Sequence, residues 1–337
     1  MTMPPSLLIV HQGALGDLVC IFPIIALLRH HFRPVAMLCQ GHLGRLAKAE
    51  RLVDAWFPIE AAWAASLFTS NPAPKARDAF ASYSHILLFS KSEILVSALQ
   101  KIAGACIGRV SPRPPAGRRV HMAEYALGCI REWGWLPPSA TATKPVMESP
   151  PGPRRAVAEN FGSQTILLHP GAGSPRKRWP LRGFLELAAL INTCRLSPEF
   201  VIGPADHELL PELEDRGAAV HQPVDCLDLL KLCRTAAAYV GNDSGASHLA
   251  AWTHLPSVVI FGPSDPERWR PMGRNVEIVQ TPCDCTPCFE TEAANCGAGT
   301  CLSSTAPRVV LEALVRLIGI GPADTSAGPI PIFRQPG

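Results

Sequence analysis

One pattern constrains this chain more than any other: a short apolar run, then a turn of glycine and polar residues, then a segment of helix length. The runs are Leu7–Val10, Val35–Leu38 and Ile86–Phe89 in the first half. Thr165–His169, Glu199–Ile202, Ala237–Val240 and Ser257–Phe261 follow in the second. Apolar runs this short, bounded by turn residues, suit strands covered on both faces. The segments Leu18–His30, Ile94–Ala103, Phe184–Asn192, Glu208–Asp215, Asp225–Arg234 and Ala246–Trp252 suit helices, with a last one at Val309–Gly319. Strands that alternate with helices predict parallel sheets with helices on both faces.

At 337 residues the chain exceeds what a single core usually fills, so two α/β units are expected. Pro137–Arg155 is rich in Pro, Ser and Thr and carries almost no periodic pattern, which marks it as the linker. The expected division is a first domain over 1–150 with its linker at about 137–155, a second over 156–321, and a Pro-rich tail over 322–337. Two doubly wound units facing each other leave a cleft, and ligands belong outside the carboxyl ends of the strands.

Charge and hydropathy remove several classes. Charged residues make up 18 % and the net charge is +3, which excludes a disordered chain and argues against a nucleic-acid binder. Met1–Pro5 carries no positive charge and Leu7–Val10 is too short for a signal h-region. No apolar run is long enough to span a bilayer. A cytoplasmic, reducing location is the expectation, and seven scattered cysteines then read as small buried hydrophobes.

Three turns carry the chemistry. After the first strand comes His11-Gln12-Gly13-Ala14-Leu15-Gly16-Asp17. The spacing is not the G-x-G-x-x-G of a dinucleotide site, and no acid follows at the end of the second strand. Asp17 stands at a helix start, where it reads equally as a cap or as a carboxylate held at the cleft to act as a general base. The second turn, Pro170-Gly171-Ala172-Gly173-Ser174-Pro175-Arg176-Lys177-Arg178, sets backbone N–H groups beside three cations. Such a loop suits an anion, with Lys177 as a point charge and Arg178 able to fork onto oxygens. The third, Asn242-Asp243-Ser244-Gly245-Ala246-Ser247-His248, presents Ser244, Gly245 and Ala246 at a helix N-terminus that favours phosphate. Asp243 and His248 read either as ligand contacts or as structural caps. A further polar turn, Phe261–Trp269, falls at the same edge, and the set describes a nucleotide-diphosphate pocket.

Taken together and in this order, these turns resemble glycosyltransferase family 9, the ADP-heptose:lipopolysaccharide heptosyltransferases, from Leu7 to about Leu317. The resemblance implies a GT-B fold of two Rossmann-like doubly wound domains facing a cleft, with acceptor on the first and nucleotide sugar on the second. It implies inverting transfer of heptose from ADP-heptose to a hydroxyl of a lipopolysaccharide inner core or related glycan, at the cytoplasmic face of the inner membrane with peripheral contact. Carried over by position, Asp17 is the general base and Lys177 the lysine on the donor diphosphate. Gly16, Ser174, Asp243, Ser244, Gly245, Ala246 and His248 line the donor side, with Glu208 near the ribose. There is no Asp-x-Asp motif, and no cofactor is required for catalysis in such enzymes. On the acceptor side Lys91 lies in Phe89-Ser90-Lys91-Ser92-Glu93, which departs from relatives, and Arg109 and Arg113 lie in a basic stretch suited to an anionic acceptor or to plain solvation. Transfer to a protein or another glycan, and a non-catalytic nucleotide-sugar-binding protein, are the alternatives.

Of the 12 cysteines, Cys283, Cys285, Cys288, Cys296 and Cys301 crowd together. Their spacing suits a structural zinc or iron site, against reduced free thiols or an adventitious disulfide as the alternatives. Their position after the donor-side strands gives them no part in the chemistry.

Overall fold

A computed structural model describes residues 4–69, 71–102, 104–115, 117–140, 165–281, 288 and 300–319. Two parallel sheets organise it. The first is built from β1 (Leu7–His11), β2 (Val35–Cys39), β3 (Ala55–Pro58), β4 (His85–Phe89) and β5 (Cys106–Val110) in the order β3-β2-β1-β4-β5. The second is built from β6 (Thr165–His169), β7 (Ser197–Val201), β8 (Val220–His221), β9 (Ala238–Asn242), β10 (Ser257–Phe261) and β11 (Val276–Gln280) in the order β11-β10-β9-β6-β7-β8. Both are doubly wound: the chain leaves the middle in one direction, then returns and builds outward in the other. The order therefore reverses between β1 and β4 and between β6 and β9, and crevices open at those carboxyl ends. The register places His11 beside Phe89 at the first crevice and His169 beside Gly241 at the second.

The central strands are buried on both faces, as their unbroken apolar runs require. The strands that the apolar pattern does not announce are edge elements. In β3 the pattern is half-exposed, and β8 has two residues. In β5 a glycine interrupts the run, because a Cβ on Gly108 would lie 2.2 Å from the Trp133 ring that covers it.

The single helix expected over Leu18–His30 is two, Leu15–Cys20 and Phe22–Leu28. The break falls at Ile21, because Pro23 offers no N–H and is tolerated only in the first turn of a new helix. Helices Gly41–Ala49, Pro74–Phe80 and Met122–Glu132 were not expected from the pattern. The last helix, Pro307–Ile318, buries Val310 and Leu314 against the second sheet and ends on Gly319 in the left-handed region.

The halves share apolar core. One cluster joins Leu7, Ile9 and Phe22 of the first half to Leu230, Tyr239, Leu249 and Ala250 of the second. The rings of Phe22 and Trp252 meet edge-on at 5.1 Å. The linker beyond residue 140 and the tail over 322–337 lie outside the described residues.

Candidate functional site

At the first crevice β1 runs into the Gly13 turn and the helix Leu15–Cys20. Ala14 is the N-cap, and Asp17 is the third helical residue. Its Oδ2 reaches back to accept the Ala14 N–H at 3.0 Å, the acidic half of a capping box. The carboxylate is exposed, so the bond that caps the helix also aims the acid at the crevice. Gly13 is needed for close approach: a Cβ there would lie 2.8 Å from Asp17 Cβ and 2.9 Å from the His11 ring. His11 is buried edge-on to Phe89, and burial pulls its pKa down to about 4, so the ring is neutral near pH 7.

The second crevice is made by the loop after β6 and the turn after β9. Ser174 caps a 3₁₀ turn, Pro175–Lys177, by accepting from the Arg176 N–H. Lys177 Nζ lies 2.7 Å from Asp243 Oδ2. Asp243 is not a cap. Ser244 is the N-cap of the helix Gly245–Trp252, and its Oγ accepts from the Ser247 N–H. Ser244 and Ala246 are buried beside it. Arg178 differs from expectation. Its guanidinium meets Asp206 at 2.8 Å and Glu208 at 2.5 Å and donates to the Ala205 carbonyl. It is committed to bracing the loop, and Glu208 is committed to Arg178. Asp206 is buried, and desolvation pushes its pKa up against the pull of Arg178. Gly171 has no room for a side chain, since a Cβ would fall 1.8 Å from Asp206 Oδ2.

The two crevices meet at a seam. A Cβ on Gly16 would lie 3.3 Å from Gly245 Cα, and one on Gly245 would lie 2.9 Å from Gly16 N. Asp17 is thus one residue from the contact and Asp243 two residues from it on the other side. His248 lies against the same contact, buried, with its pKa lowered to about 4 chiefly by desolvation. Polar ties flank the seam. Arg119 forks onto Asp265 at 2.8 and 3.0 Å. That guanidinium, above all, holds the Asp265 carboxyl below its ordinary range. His121 Nε2 donates to the Arg270 carbonyl, and Arg268 donates to the Pro114 carbonyl. Glu50 receives both Arg234 and the Trp252 indole N–H.

In the first half, Lys91 is exposed at the end of β4 and Arg113 is exposed in the loop after β5. Arg109 Nε donates to the Ser90 carbonyl and its Nη1 meets Glu93 at 2.5 Å. Of the five clustered cysteines, Cys283, Cys285 and Cys296 lie outside the described residues. Cys288 is buried, its N–H donates to the Pro263 carbonyl, and Arg176 donates to its sulfur at 3.7 Å. Cys301 is buried in the second core. Among the described residues no group of three or more His, Cys, Asp or Glu side chains is placed to hold a metal ion.

Sequence reasoning passed over Asp206, Asp265 and Asn242 as site residues, and read Arg119 only as part of a basic stretch suited to an anionic acceptor, whereas it forks onto Asp265. Asp206 sits in a loop with no motif, and Arg119 meets Asp265 across 146 residues of chain. Asn242 and Asp265 stood inside turns already singled out.

The family model described as glycosyltransferase family 9 (heptosyltransferase) matches residues 138–297. Lipooligosaccharide heptosyltransferase 2 of Haemophilus influenzae is 27 % identical over 157 residues, which cover 41 % of this chain and 44 % of that protein. The chain spans about half the length of the curated relatives it matches. Among solved structures, a family 9 glycosyl transferase from Veillonella parvula superposes with a TM-score of 0.75 at 16 % identity, covering 95 % of this chain and 99 % of that one. The ADP-heptose LPS heptosyltransferase II of E. coli superposes with a TM-score of 0.67 at 18 % identity, covering 93 % of this chain and 98 % of that one. The chain therefore has the α/β GT-B fold of those structures, and its residues 138–297 match the glycosyltransferase family 9 model.

Proposed function

We propose that this chain is an inverting glycosyltransferase that moves heptose from ADP-heptose to a hydroxyl of a lipopolysaccharide inner-core or related acceptor. The observation that carries the reading is the seam. Gly16 packs on Gly245, so an exposed carboxylate (Asp17) and an ion-paired lysine and carboxylate (Lys177 and Asp243, 2.7 Å apart) face one cleft from two sheets. The family domain and the names of its relatives support the choice of donor and acceptor class.

In this reading the nucleotide sugar binds over β6 and β9. Lys177 and the N–H groups at the start of the helix Gly245–Trp252 take the diphosphate and stabilise the charge that grows on the departing ADP. Asp243 orients Lys177 and accepts from sugar hydroxyls. Asp17 takes the proton from the acceptor hydroxyl as that oxygen attacks the anomeric carbon on the face opposite ADP. The capping bond to Ala14 holds one carboxylate oxygen and leaves the other for the acceptor. His248 and the glycine contact keep the two sides in register, which converts a two-substrate encounter into an oriented one. The acceptor lies on the first domain, with Lys91, Arg109 and Arg113 toward its anionic groups, and the domains divide within the linker at about 137–155. The cysteines take no step. Among the described residues no helix is long and apolar enough to cross a membrane, and the proposed location is cytoplasmic with peripheral contact at the inner membrane.

Product analysis tests this directly. Incubation with ADP-heptose and truncated lipopolysaccharide acceptors is expected to add one heptose to the acceptor and release ADP. Calorimetry is expected to rank ADP above UDP and GDP, and tighter binding of UDP would overturn the donor assignment.

A further inference from the structure

The lysine and the carboxylate of the donor side come from different strands, and a single buried side chain joins their loops. Asn242 ends β9 and is 0 % exposed. Its Oδ1 accepts the backbone N–H of Trp179 at 2.9 Å. Its Nδ2 donates to the carbonyls of Pro170 at 2.8 Å and Gly171 at 3.3 Å. Residues 170 and 179 are the two ends of the loop, and Lys177 lies two residues before the second end. The next residue after Asn242 is Asp243, which meets Lys177.

The surroundings are built to hold this amide in place. Ser247 Oγ donates to the backbone carbonyl of Asn242 at 2.5 Å, and Tyr239 OH lies 3.0 Å from Ser247 Oγ. Gly241 leaves room for that tyrosine, since a Cβ there would fall 2.3 Å from its hydroxyl. The far end of Trp179 is tied separately, its indole N–H donating to the Thr305 carbonyl at 3.1 Å.

We propose that Asn242 is a positioning residue: its carboxamide clamps both ends of the loop 170–179 and thereby sets Lys177 where the donor diphosphate binds. The proposal rests on the reading of this cleft as a nucleotide-sugar site. The chemistry selects an amide. Two carbonyls need a donor and one N–H needs an acceptor, and among side chains of this size only Asn offers both in one plane. An ionised aspartate would turn an acceptor toward two buried carbonyls. An alanine would leave three buried backbone groups without their partner, which costs more than the bonds themselves contribute.

The test compares the full-length wild type with Asn242→Asp and Asn242→Ala by calorimetric titration with ADP, each checked by thermal denaturation. Near pH 8 both variants are expected to bind ADP roughly 10- to 100-fold more weakly than the wild type. Near pH 5 the aspartate, its pKa raised by burial beside carbonyls, regains an O–H donor, and its deficit is expected to shrink to about threefold while that of alanine persists. That rescue distinguishes a clamp from a side chain that merely fills the core. Hydrogen exchange at the Trp179 amide, followed in whichever variants fold, is expected to accelerate in step with the loss of affinity. Wild-type ADP binding with unchanged affinity in folded variants would overturn the inference alone. Absence of ADP binding by the wild type would overturn the donor-site reading and this inference with it.

Discussion

The two crevices hold their carboxylates in opposite ways. Asp17 stands in the open, restrained by one bond to the Ala14 N–H. Asp243 is buried, paired with Lys177, and flanked by loops that Asn242 and Arg178 brace from beneath. An exposed acid can be reached by a molecule that arrives from solution. A half-buried lysine paired with a buried acid can bind a diphosphate only if they are already in position, because a mobile charge would be reorganised at each turnover. In the proposed reading the adaptable side of the cleft takes the acceptor and the rigid side the donor.

The sharpest way to break that contrast is Asp17→Asn. It keeps the shape of the capping side chain but removes the base, and transfer is expected to fall by about 10²–10⁴ in kcat. ADP affinity, measured by calorimetry, should be unchanged; an equal loss in both would make Asp17 a donor residue. Lys177→Ala should instead lower both ADP affinity and kcat/KM, by roughly 10²–10³ in the latter. It also leaves Asp243 buried without its cation, so the wild-type and variant melting curves should be compared.

Gly245→Ala tests the seam between the two sides. The new methyl would lie 2.9 Å from Gly16 N and from Leu15 Cβ, contacts that neither backbone can relieve without moving. Stability should fall by about 1–3 kcal/mol in urea unfolding, with activity reduced through misalignment of the two crevices. A variant as stable and active as the wild type would mean that the halves are not held in register here.

The smallest effect is expected from Arg119→Ala. Asp265 is 3 % exposed and its pKa is depressed, so its pairing contributes stability above the ordinary value of 3.8, which is lost as the pH falls through the lower folded-state value. The stability difference between wild type and variant should therefore be present at neutral pH and close on acidification below 3.8. A difference that grows toward acid pH would reverse the assigned sign.

Much of the fold was legible because its centre is made of local patterns. Thr165–His169 and Ser257–Phe261 are strands with the expected ends, since a strand covered on both faces must be apolar at every position. Edge strands such as Ala55–Pro58 escape such a reading because one side of each faces solvent. The turns were legible in kind but not in partnership. Arg178 reads as a phosphate ligand until Asp206 and Glu208 are seen to occupy it. Asp243 reads as a cap until Ser244 takes that place. In each case the residue type states what a side chain is able to bind, and the alternatives differ only in which partner lies nearest.

That division holds for the whole chain. The sequence by itself determined the parallel α/β architecture, the turns that close the strands, and the acids and lysine those turns carry, because periodicity and turn chemistry act over a few residues. Tertiary structure alone decided that Gly16 meets Gly245, that Arg119 meets Asp265, and that Asn242 gathers the lysine loop. These contacts join residues far apart in the chain, and their formation depends on how two sheets dock against one shared apolar core.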